Sequence, residues 1–256
     1  MSTASATPLL QVRDLHKAFG GVCAVDGVSF DVHAGEVVAL IGPNGAGKST
    51  TFHLLNGQLV PDTGTVTLAG EAITGCPPER LATRGVGRTF QTAQTLASFS
   101  VLENVQVALL AADGLSTNPW PRAQAHRRAQ ALALLEQVGL QAHAARACTA
   151  LAYADLKRLE LAMALAGEPR LLLMDEPTAG MAATERQTLM ALVRRLVRER
   201  GLGVLLTEHS MDVVFGHADR VLVMARGRLI AQGTPAQVQA NPEVQAVYLG
   251  PSGATP

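Results

Sequence analysis

The segment at positions 42–50 has the residue types and spacing of a phosphate-binding loop. It fits the pattern G-x-x-x-x-G-K-[ST] at every position. Its residues are Gly42, Pro43, Asn44, Gly45, Ala46, Gly47, Lys48, Ser49 and Thr50. Glycines let backbone N–H groups approach a phosphate closely, the Lys48 charge would lie between the β- and γ-phosphates, and the Ser49 hydroxyl would bind Mg²⁺. The sequence therefore predicts a nucleotide site.

The elements on either side of this loop are those that a phosphate loop needs. An apolar run at Val37–Ile41 predicts a buried strand before the loop, and Thr51–Leu55 predicts a helix that continues from it. The N-terminus of that helix would favour an anion. The alternative is a glycine-rich turn with a surface lysine, and the flanking strand and helix argue against it.

Two acidic residues follow a second predicted buried strand. Apolar residues at Leu171–Met174 lead directly into Asp175 and Glu176, and Pro177 ends the strand. Ligands of doubly wound sheets bind at the carboxyl ends of the strands. There Asp175 could hold Mg²⁺ and Glu176 could polarise an attacking water. The alternative is an ordinary strand end with a capping acid, which is disfavoured when a phosphate loop precedes it.

Three more residues lie at predicted strand ends or turns. His209 follows the apolar run at 203–207 and could hydrogen-bond a γ-phosphate. Gln91 ends a predicted strand that begins at Val86, where it could sense metal and water. Phe19 lies in a predicted turn before the phosphate loop, and its position alone does not decide between stacking on a base and packing in the core.

Composition limits the classes of protein to consider. The 256 residues are 48% hydrophobic and 16% charged, with a formal net charge of zero, which argues against bulk DNA as a partner. No apolar run approaches the ~18 residues needed to cross a bilayer, and Met1–Pro8 lacks the features of a signal peptide. Cys23, Cys76 and Cys148 lack metal-ligand spacing. We expect reduced thiols in a cytosolic protein.

Apolar periodicity predicts one α/β domain with a mostly parallel sheet and an antiparallel β layer. The predicted strands of the layer are 10–15, 22–24, 28–32 and 65–68, and a hairpin is predicted at 220–232. Ser100 and Glu103 form a capping box that opens a helix. Further helices are predicted at 123–138, 156–166, 184–199 (with Thr184 as a possible cap), 236–238 and 242–247. We divide the chain into a core with the β layer (8–95 and 159–235), a helical subdomain (96–158) and a C-terminal extension (236–256).

Together these residues resemble the nucleotide-binding subunit of an ABC transporter over about residues 9–250. The resemblance implies a P-loop NTPase of RecA-like fold whose helical subdomain carries a signature sequence, and an ATPase that uses ATP and Mg²⁺. It implies that Phe19 stacks on the base. It further implies that Gln91 is the Q-loop glutamine, Asp175 the Walker B aspartate, Glu176 the catalytic glutamate and His209 the switch histidine. Catalysis would involve Lys48, Gln91, Glu176 and His209, and metal binding would involve Ser49, Gln91 and Asp175.

Several segments are similar to the branched-chain amino acid uptake subfamily. They include 88–91 (RTFQ), 101–105 (VLENV), 177–181 (PTAGM), 209–215 (HSMDVVF) and 241–250 (NPEVQAVYLG). The similarity implies import of branched-chain amino acids or of a related amide or carboxylate solute such as urea. It also implies two integral membrane permease subunits, a second ATPase subunit, identical or different, and a periplasmic solute-binding protein. The chain would then lie on the cytoplasmic face of the inner membrane, with residues 92–100 near the permease.

Two other classes are alternatives. A soluble ABC ATPase of DNA repair or translation usually carries a long coiled-coil insert or two ATPase domains, and this sequence shows neither. The zero net charge also gives no reason to expect nucleic acid as a partner. An unrelated phosphate-loop kinase would need a lid and a second substrate pocket, and the signature-like segment and His209 argue against it.

The segment aligned with the family signature L-S-G-G-Q departs from it. This signature segment consists of Leu151, Ala152, Tyr153, Ala154 and Asp155. Ala152 replaces the serine that would meet a γ-phosphate, Ala154 replaces the second glycine, and Ala182 stands where the D-loop usually has an acid or amide. All three would act on the nucleotide of the opposite subunit. Either this chain completes its partner's site poorly, or the subfamily tolerates alanine here because the N–H of Ala154 remains.

Overall fold

The computed structural model describes residues 7–90, 94–114 and 127–249, which form two β-sheets and nine α-helices. The strands are β1 (Leu10–Phe19), β2 (Val22–Val32), β3 (Val37–Ile41), β4 (Thr63–Leu68), β5 (Glu71–Ala72), β6 (Val86–Thr89), β7 (Leu171–Asp175), β8 (Gly203–Thr207), β9 (Arg220–Ala225) and β10 (Arg228–Gly233). The helices are α1 (Lys48–Leu55), α2 (Pro78–Thr83), α3 (Val101–Ala112), α4 (Arg128–Gln137), α5 (Tyr153–Leu165), α6 (Ala183–Arg200), α7 (Met211–His217), α8 (Pro235–Gln239) and α9 (Pro242–Leu249).

The larger sheet carries the phosphate loop and has the strand order β10-β9-β3-β8-β7-β6. The pairs from β9 to β6 are parallel, and β10 joins the edge antiparallel to β9 as the predicted hairpin. This arrangement confirms the predicted α/β class with a mostly parallel sheet. Because the strands are parallel, the carboxyl ends of β3, β7 and β8 lie at one edge of the sheet.

The central strand β3 is buried on both faces, which explains its continuous apolar sequence. Val37, Ala39 and Ile41 belong to one core cluster, together with residues of helices α3 to α6. Val38 and Leu40 point to the opposite face and join a second cluster with α1 and the antiparallel sheet. Because successive side chains of a strand point to opposite faces, β3 contributes to a hydrophobic cluster on each face of the sheet.

The smaller sheet is antiparallel, as predicted, with the strand order β2-β1-β4-β5. Its strands are longer than the sequence patterns indicated. The predicted turn at 17–21 is wrong in extent, because β1 continues to Phe19 and only Gly20 and Gly21, both at positive φ, turn the chain. The two predicted segments 22–24 and 28–32 form one continuous strand, β2. Pairing with β1 continues across the intervening residues 25–27, with a shift of register between Val28 and Val25.

Helices α3, α4 and α5 pack together, and the predicted capping box is confirmed. The Ser100 hydroxyl accepts a hydrogen bond from the N–H of Glu103 at 3.2 Å, and the Glu103 carboxylate accepts from the N–H of Ser100 at 2.8 Å. The described part of the predicted helix 123–138 is α4, which begins at Arg128, and residues 115–126 lie outside the described ranges. Helix α5 begins at Tyr153, three residues before the predicted start, so the predicted boundary between 158 and 159 falls inside it.

Helix α6 begins one residue earlier than predicted and Thr184 is not its cap. The N-cap is Ala182, whose N–H donates to the Glu185 carboxylate at 2.9 Å, while Thr184 lies inside the helix. The patterns did not predict the short helices α2 and α7, whereas α8 and α9 lie at the two predicted C-terminal positions. Within the described ranges no helix is both long and apolar enough to cross a membrane.

Candidate functional site

The loop between β3 and α1 is held by close backbone contacts. Gly42 and Gly47 both have positive φ, and helix α1 starts directly after Gly47. A Cβ on Gly42 would lie 2.3 Å from the carbonyl oxygen of Met224, and one on Gly47 would lie 2.3 Å from that of Ala24. Only glycine fits these two positions. The predicted strand, loop and helix are therefore present, and the loop is fixed against β9 and β2.

The Lys48 side chain is folded back over this loop. Its Nζ donates to the carbonyl oxygen of Gly42 at 2.7 Å and to that of Pro43 at 3.0 Å, and the residue is 7% exposed. Burial lowers the pKa of Lys48, and the nearby Glu176 carboxylate acts in the opposite direction. The next residue, Ser49, is exposed. The loop thus presents a charged group that a phosphate could draw away from the two carbonyls.

The acidic pair lies at the carboxyl end of β7, as predicted. Asp175 is the last residue of β7 and lies opposite Thr207 of β8, whose hydroxyl donates to Asp175 Oδ1 at 2.6 Å. Glu176 adopts a left-handed backbone with φ 44°. Its N–H donates to both the carbonyl oxygen (3.2 Å) and the hydroxyl (3.1 Å) of Thr207. Thr207 therefore holds both acids, Asp175 through its side chain and Glu176 through its backbone.

His209 lies against Glu176, which brings together two residues that the sequence placed on separate strands. The His209 Nε2 is 2.8 Å from Glu176 Oε1, and both side chains are partly exposed. A histidine in this position can hold the carboxylate in place for general-base catalysis. Glu176 and His209 therefore form an acid–histidine pair at the carboxyl ends of the parallel strands, where ligands of such sheets bind.

The donor atoms near this edge are suitable for Mg²⁺. Asp175 provides a carboxylate and Ser49 provides an exposed hydroxyl, and oxygen donors with several retained waters are the usual ligands of this ion. The hydroxyl of Thr207 occupies only one oxygen of Asp175. Among the described residues no group of three His, Cys, Asp or Glu side chains could hold a metal ion alone. The third predicted metal residue, Gln91, lies outside the described residues.

The residue before Gln91 is held by a buried ion pair that the sequence analysis missed. Glu160 Oε1 accepts from the N–H of Phe90 at 2.6 Å, and Lys157 Nζ donates to the carbonyl oxygen of Phe90 at 2.6 Å. Lys157 and Glu160 are 3.3 Å apart with side chains 2% and 4% exposed, and burial raises the pKa of Glu160. Lys157 lies one helical turn before the buried Leu161 and two turns before the buried Leu165. This helical spacing places Lys157 on the buried face of α5 and is the sequence signal for its burial.

The signature segment forms the start of helix α5. Ala152 is its N-cap, and its methyl side chain cannot accept a capping hydrogen bond. Its carbonyl oxygen accepts the first hydrogen bonds of the helix, from the N–H groups of Asp155 and Leu156, both at 3.0 Å. Tyr153 is 41% exposed, and Lys157 Nζ lies 5.9 Å from the centre of its ring. Helix α5 therefore connects the signature segment directly to the residues that hold Phe90.

Phe19 lies at the end of β1 beside the Gly20–Gly21 turn. The ring is 46% exposed and belongs to neither core cluster, and Lys17 Nζ lies 5.5 Å from its centre. Of the two predicted roles, packing in the core is therefore wrong. The exposed aromatic surface is compatible with stacking on a base.

Comparisons with known proteins agree with this fold and site. The sequence matches the family described as "ABC transporter" over residues 25–179 and the one described as "Branched-chain amino acid ATP-binding cassette transporter" over residues 228–250. It is 40% identical to the high-affinity branched-chain amino acid transport ATP-binding protein LivG of Escherichia coli, over 95% of this chain and 98% of LivG. It is 39% identical to BraF of Pseudomonas aeruginosa, with the same two coverages.

A solved structure shares the whole architecture. The crystal structure of a nucleotide-free ATP-binding cassette from an ABC transporter superposes with a TM-score of 0.86 at 32% identity, covering 96% of this chain and all of that one. The fold and the site define a phosphate-loop nucleoside triphosphatase. The chain belongs to the ABC transporter family and is one of its ATP-binding ATPases. The predicted family, fold and ATPase activity are confirmed.

Proposed function

We propose that this chain is the ATP-hydrolysing subunit of an importer for branched-chain amino acids or a related small amide or carboxylate solute. The observation that carries the proposal is the 2.8 Å contact of Glu176 with His209, at the edge of the sheet that also carries the phosphate loop. The similarity to LivG and BraF along nearly the whole chain supports the solute class.

In this proposal each residue of the site has a distinct role. Backbone N–H groups of the phosphate loop and the Lys48 charge bind the β- and γ-phosphates, and Phe19 stacks on the base. Glu176 accepts a proton from the attacking water and His209 holds Glu176 in place. Mg²⁺ supplies charge neutralisation at the phosphates when it is bound by Ser49, Gln91 and Asp175. Preorganised charge and positioning account for most of the rate enhancement.

The complete site requires a second ATPase subunit. The signature segment lies on helix α5, and in this proposal it closes over the nucleotide of the opposite subunit. The pair drives two integral membrane permease subunits from the cytoplasmic face of the inner membrane, and a periplasmic binding protein delivers the solute. Residues 8–95 and 159–235 form the catalytic core with its β layer, residues 96–158 the helical subdomain and residues 236–256 a C-terminal extension.

We assign the contact with the permease to the segment 92–100, of which residues 94–100 are described. Leu96 is 42% exposed, and its backbone is fixed by the fully buried Asn104, which accepts from the N–H of Leu96 at 2.7 Å and donates to the carbonyl oxygen of Leu96 at 3.2 Å. Thr95 and Phe99 are half-buried on either side of Leu96. The segment follows Gln91 directly in the chain, and this adjacency to the Q-loop is the basis of the assignment.

Charged residues at this surface should release the subunit from the membrane. We expect Thr95→Glu together with Phe99→Asp to move the protein from the membrane to the soluble fraction, because a buried charge at an apolar contact is costly. Binding of a fluorescent ATP analogue should persist, since the phosphate loop is unchanged. Val60→Glu is the matched control, because Val60 is also an exposed apolar residue (61%) but lies elsewhere. Retention of the double variant on membranes would contradict the assignment.

An affinity capture tests the proposed function as a whole. Tagged protein is purified from detergent-solubilised membranes, and the bound chains are identified by mass spectrometry. Recovery of permeases with a second ATPase supports the importer, whose uptake of leucine can then be compared with uptake of urea in proteoliposomes. Recovery of soluble partners or nucleic acid alone supports a soluble ABC ATPase of DNA repair or translation.

A further inference from the structure

Glu208 is a buried carboxylate between two residues of the site, and the roles above do not use it. It follows Thr207 of β8 and precedes His209, and the residue is 3% exposed. Its Oε1 accepts from the N–H of Thr178 at 3.1 Å and from the Thr178 hydroxyl at 2.5 Å. Its Oε2 accepts from the N–H of His209 at 3.0 Å and from that of Ser210 at 3.2 Å. One carboxylate therefore joins two chain segments, one through each oxygen.

This arrangement needs a carboxylate. Four donors converge on Glu208, and within the described ranges no basic side chain forms an ion pair with it. A glutamine has one acceptor oxygen and one donor NH₂ group, so it could satisfy the donors of only one segment and would oppose those of the other. A buried charge that is held by four hydrogen bonds fixes the groups that donate them.

The two segments held by Glu208 are those on either side of the hydrolytic pair. Thr178 is two residues after Glu176, and it is 1% exposed. His209 carries the ring that contacts Glu176 Oε1 at 2.8 Å. Thr207 already holds the backbone N–H of Glu176 and one oxygen of Asp175. The consecutive residues 207–209 therefore hold Asp175, Glu176 and Thr178 in place.

We propose that Glu208 is a positioning residue for ATP hydrolysis, which sets the distance between the His209 ring and the Glu176 carboxylate by holding His209 and Thr178 at once. This inference rests on the proposed roles of Glu176 and His209. None of the four hydrogen bonds of Glu208 involves Lys48 or the phosphate loop. We therefore expect a change at Glu208 to slow the chemical step and to leave ATP binding largely unchanged. Displacement of catalytic groups by about 1 Å can lower a rate by about a hundredfold.

The test is steady-state ATP hydrolysis by the assembled transporter with Glu208→Gln. We expect kcat to fall by about tenfold to a hundredfold while KM for ATP stays within about twofold. Thr178→Val removes one donor to Glu208 and should also lower kcat, and Thr178→Ser should restore much of that loss because it keeps the hydroxyl. The control is Glu36→Gln, since Glu36 is a half-buried acid directly before β3, at the end of that strand away from the phosphate loop. It accepts hydrogen bonds from the N–H of His33 and from Arg220 Nε, both at 2.8 Å.

A double-mutant cycle separates positioning from a merely structural role. If Glu208 acts through His209, Glu208→Gln should add little to the loss already caused by His209→Ala. An unchanged kcat in Glu208→Gln, an additive cycle, or a loss that appears equally in KM overturns the proposal. If Glu208→Gln does not fold, the pair Thr178→Val and Thr178→Ser gives the same decision. A failure of the proposed function gives a different result from a failure of this inference. If the proposed function is wrong, the unsubstituted protein lacks ATPase activity or Glu176→Gln retains it.

Discussion

Glu176→Gln should lower ATP hydrolysis by about 10²- to 10⁴-fold, the usual contribution of a positioned general base. A glutamine has the same shape but cannot take a proton from water. It can still contact His209, so the geometry around the 2.8 Å contact should persist. Binding of Mg·ATP should therefore remain, and the variant should hold unhydrolysed ATP. The measurement is phosphate release by the assembled transporter, together with the affinity for a fluorescent ATP analogue.

A matched substitution guards against a general effect of removing an acid. Glu199 is an exposed glutamate near the end of α6, so Glu199→Gln should hydrolyse ATP at the normal rate. If Glu176→Gln keeps more than about a tenth of the activity, Glu176 is not the general base of this reaction.

The same change in the second ATPase subunit tests the departures in the signature segment. The N-cap of α5 is Ala152, which cannot offer a hydroxyl to a phosphate, and Ala154 follows in the first turn. Loss of one hydrogen bond to a charged phosphate costs about 1.5–3 kcal/mol, or roughly tenfold to a hundredfold in rate. If this chain completes its partner's site poorly, the glutamine substitution in the partner should lower total turnover much less than Glu176→Gln does.

The alternative gives the opposite result in the same assay. The backbone N–H groups of Tyr153 and Ala154 remain in the first turn of α5, where they can bind an anion without the serine hydroxyl. If these groups suffice, the two glutamine substitutions should lower turnover equally. Equal losses would show that the alanines are tolerated, and the two sites would then be equivalent.

The parts of the fold that could be predicted are those set by local sequence. The apolar run at Val37–Ile41 predicts a strand buried on both faces, and the glycines of the phosphate loop allow the positive φ angles that the loop adopts. The position of Asp175 followed from the same argument, because a run of four apolar residues predicts a buried strand and Asp175 is its last residue. The capping box at Ser100 is likewise a local pattern.

The parts that could not be predicted depend on partners far away in the sequence. Thr184 has the chemistry of an N-cap, but the hydrogen bond from Ala182 to Glu185 starts α6 earlier. Glu208 acquires its role from Thr178, 30 residues before it, and that contact exists only once β7 and β8 are paired. Glu160 likewise meets Phe90 across 70 residues. A buried charge carries no sequence signal of which donors will surround it.

The buried pair of Lys157 and Glu160 leads to the second large expected effect. We expect Lys157→Met to lower the free energy of unfolding by about 3–5 kcal/mol near neutral pH, the usual result of leaving one member of a buried pair without its partner. Glu160 would keep its contact with the N–H of Phe90 but lose the ammonium at 3.3 Å. The measurement is urea unfolding. Arg158→Met is the matched control, because Arg158 is partly exposed, pairs with Asp155 at 3.6 Å and should contribute only about 0–1 kcal/mol.

The pH dependence of this loss identifies its cause. Burial raises the pKa of Glu160 above its value in the unfolded chain, and Lys157 counteracts part of that rise. A raised carboxyl pKa means that the folded state holds more protons, so stability increases as the pH falls through the interval between the unfolded and folded pKa values. Without Lys157 the pKa of folded Glu160 rises further, and the interval between the unfolded and folded pKa values widens. The loss of stability in Lys157→Met should therefore be smaller at about pH 5 than at about pH 8.

Adding Glu160→Gln to Lys157→Met should restore part of the stability, because a neutral amide needs no counter-charge. A deficit that is the same at both pH values would instead indicate lost packing of the lysine stem.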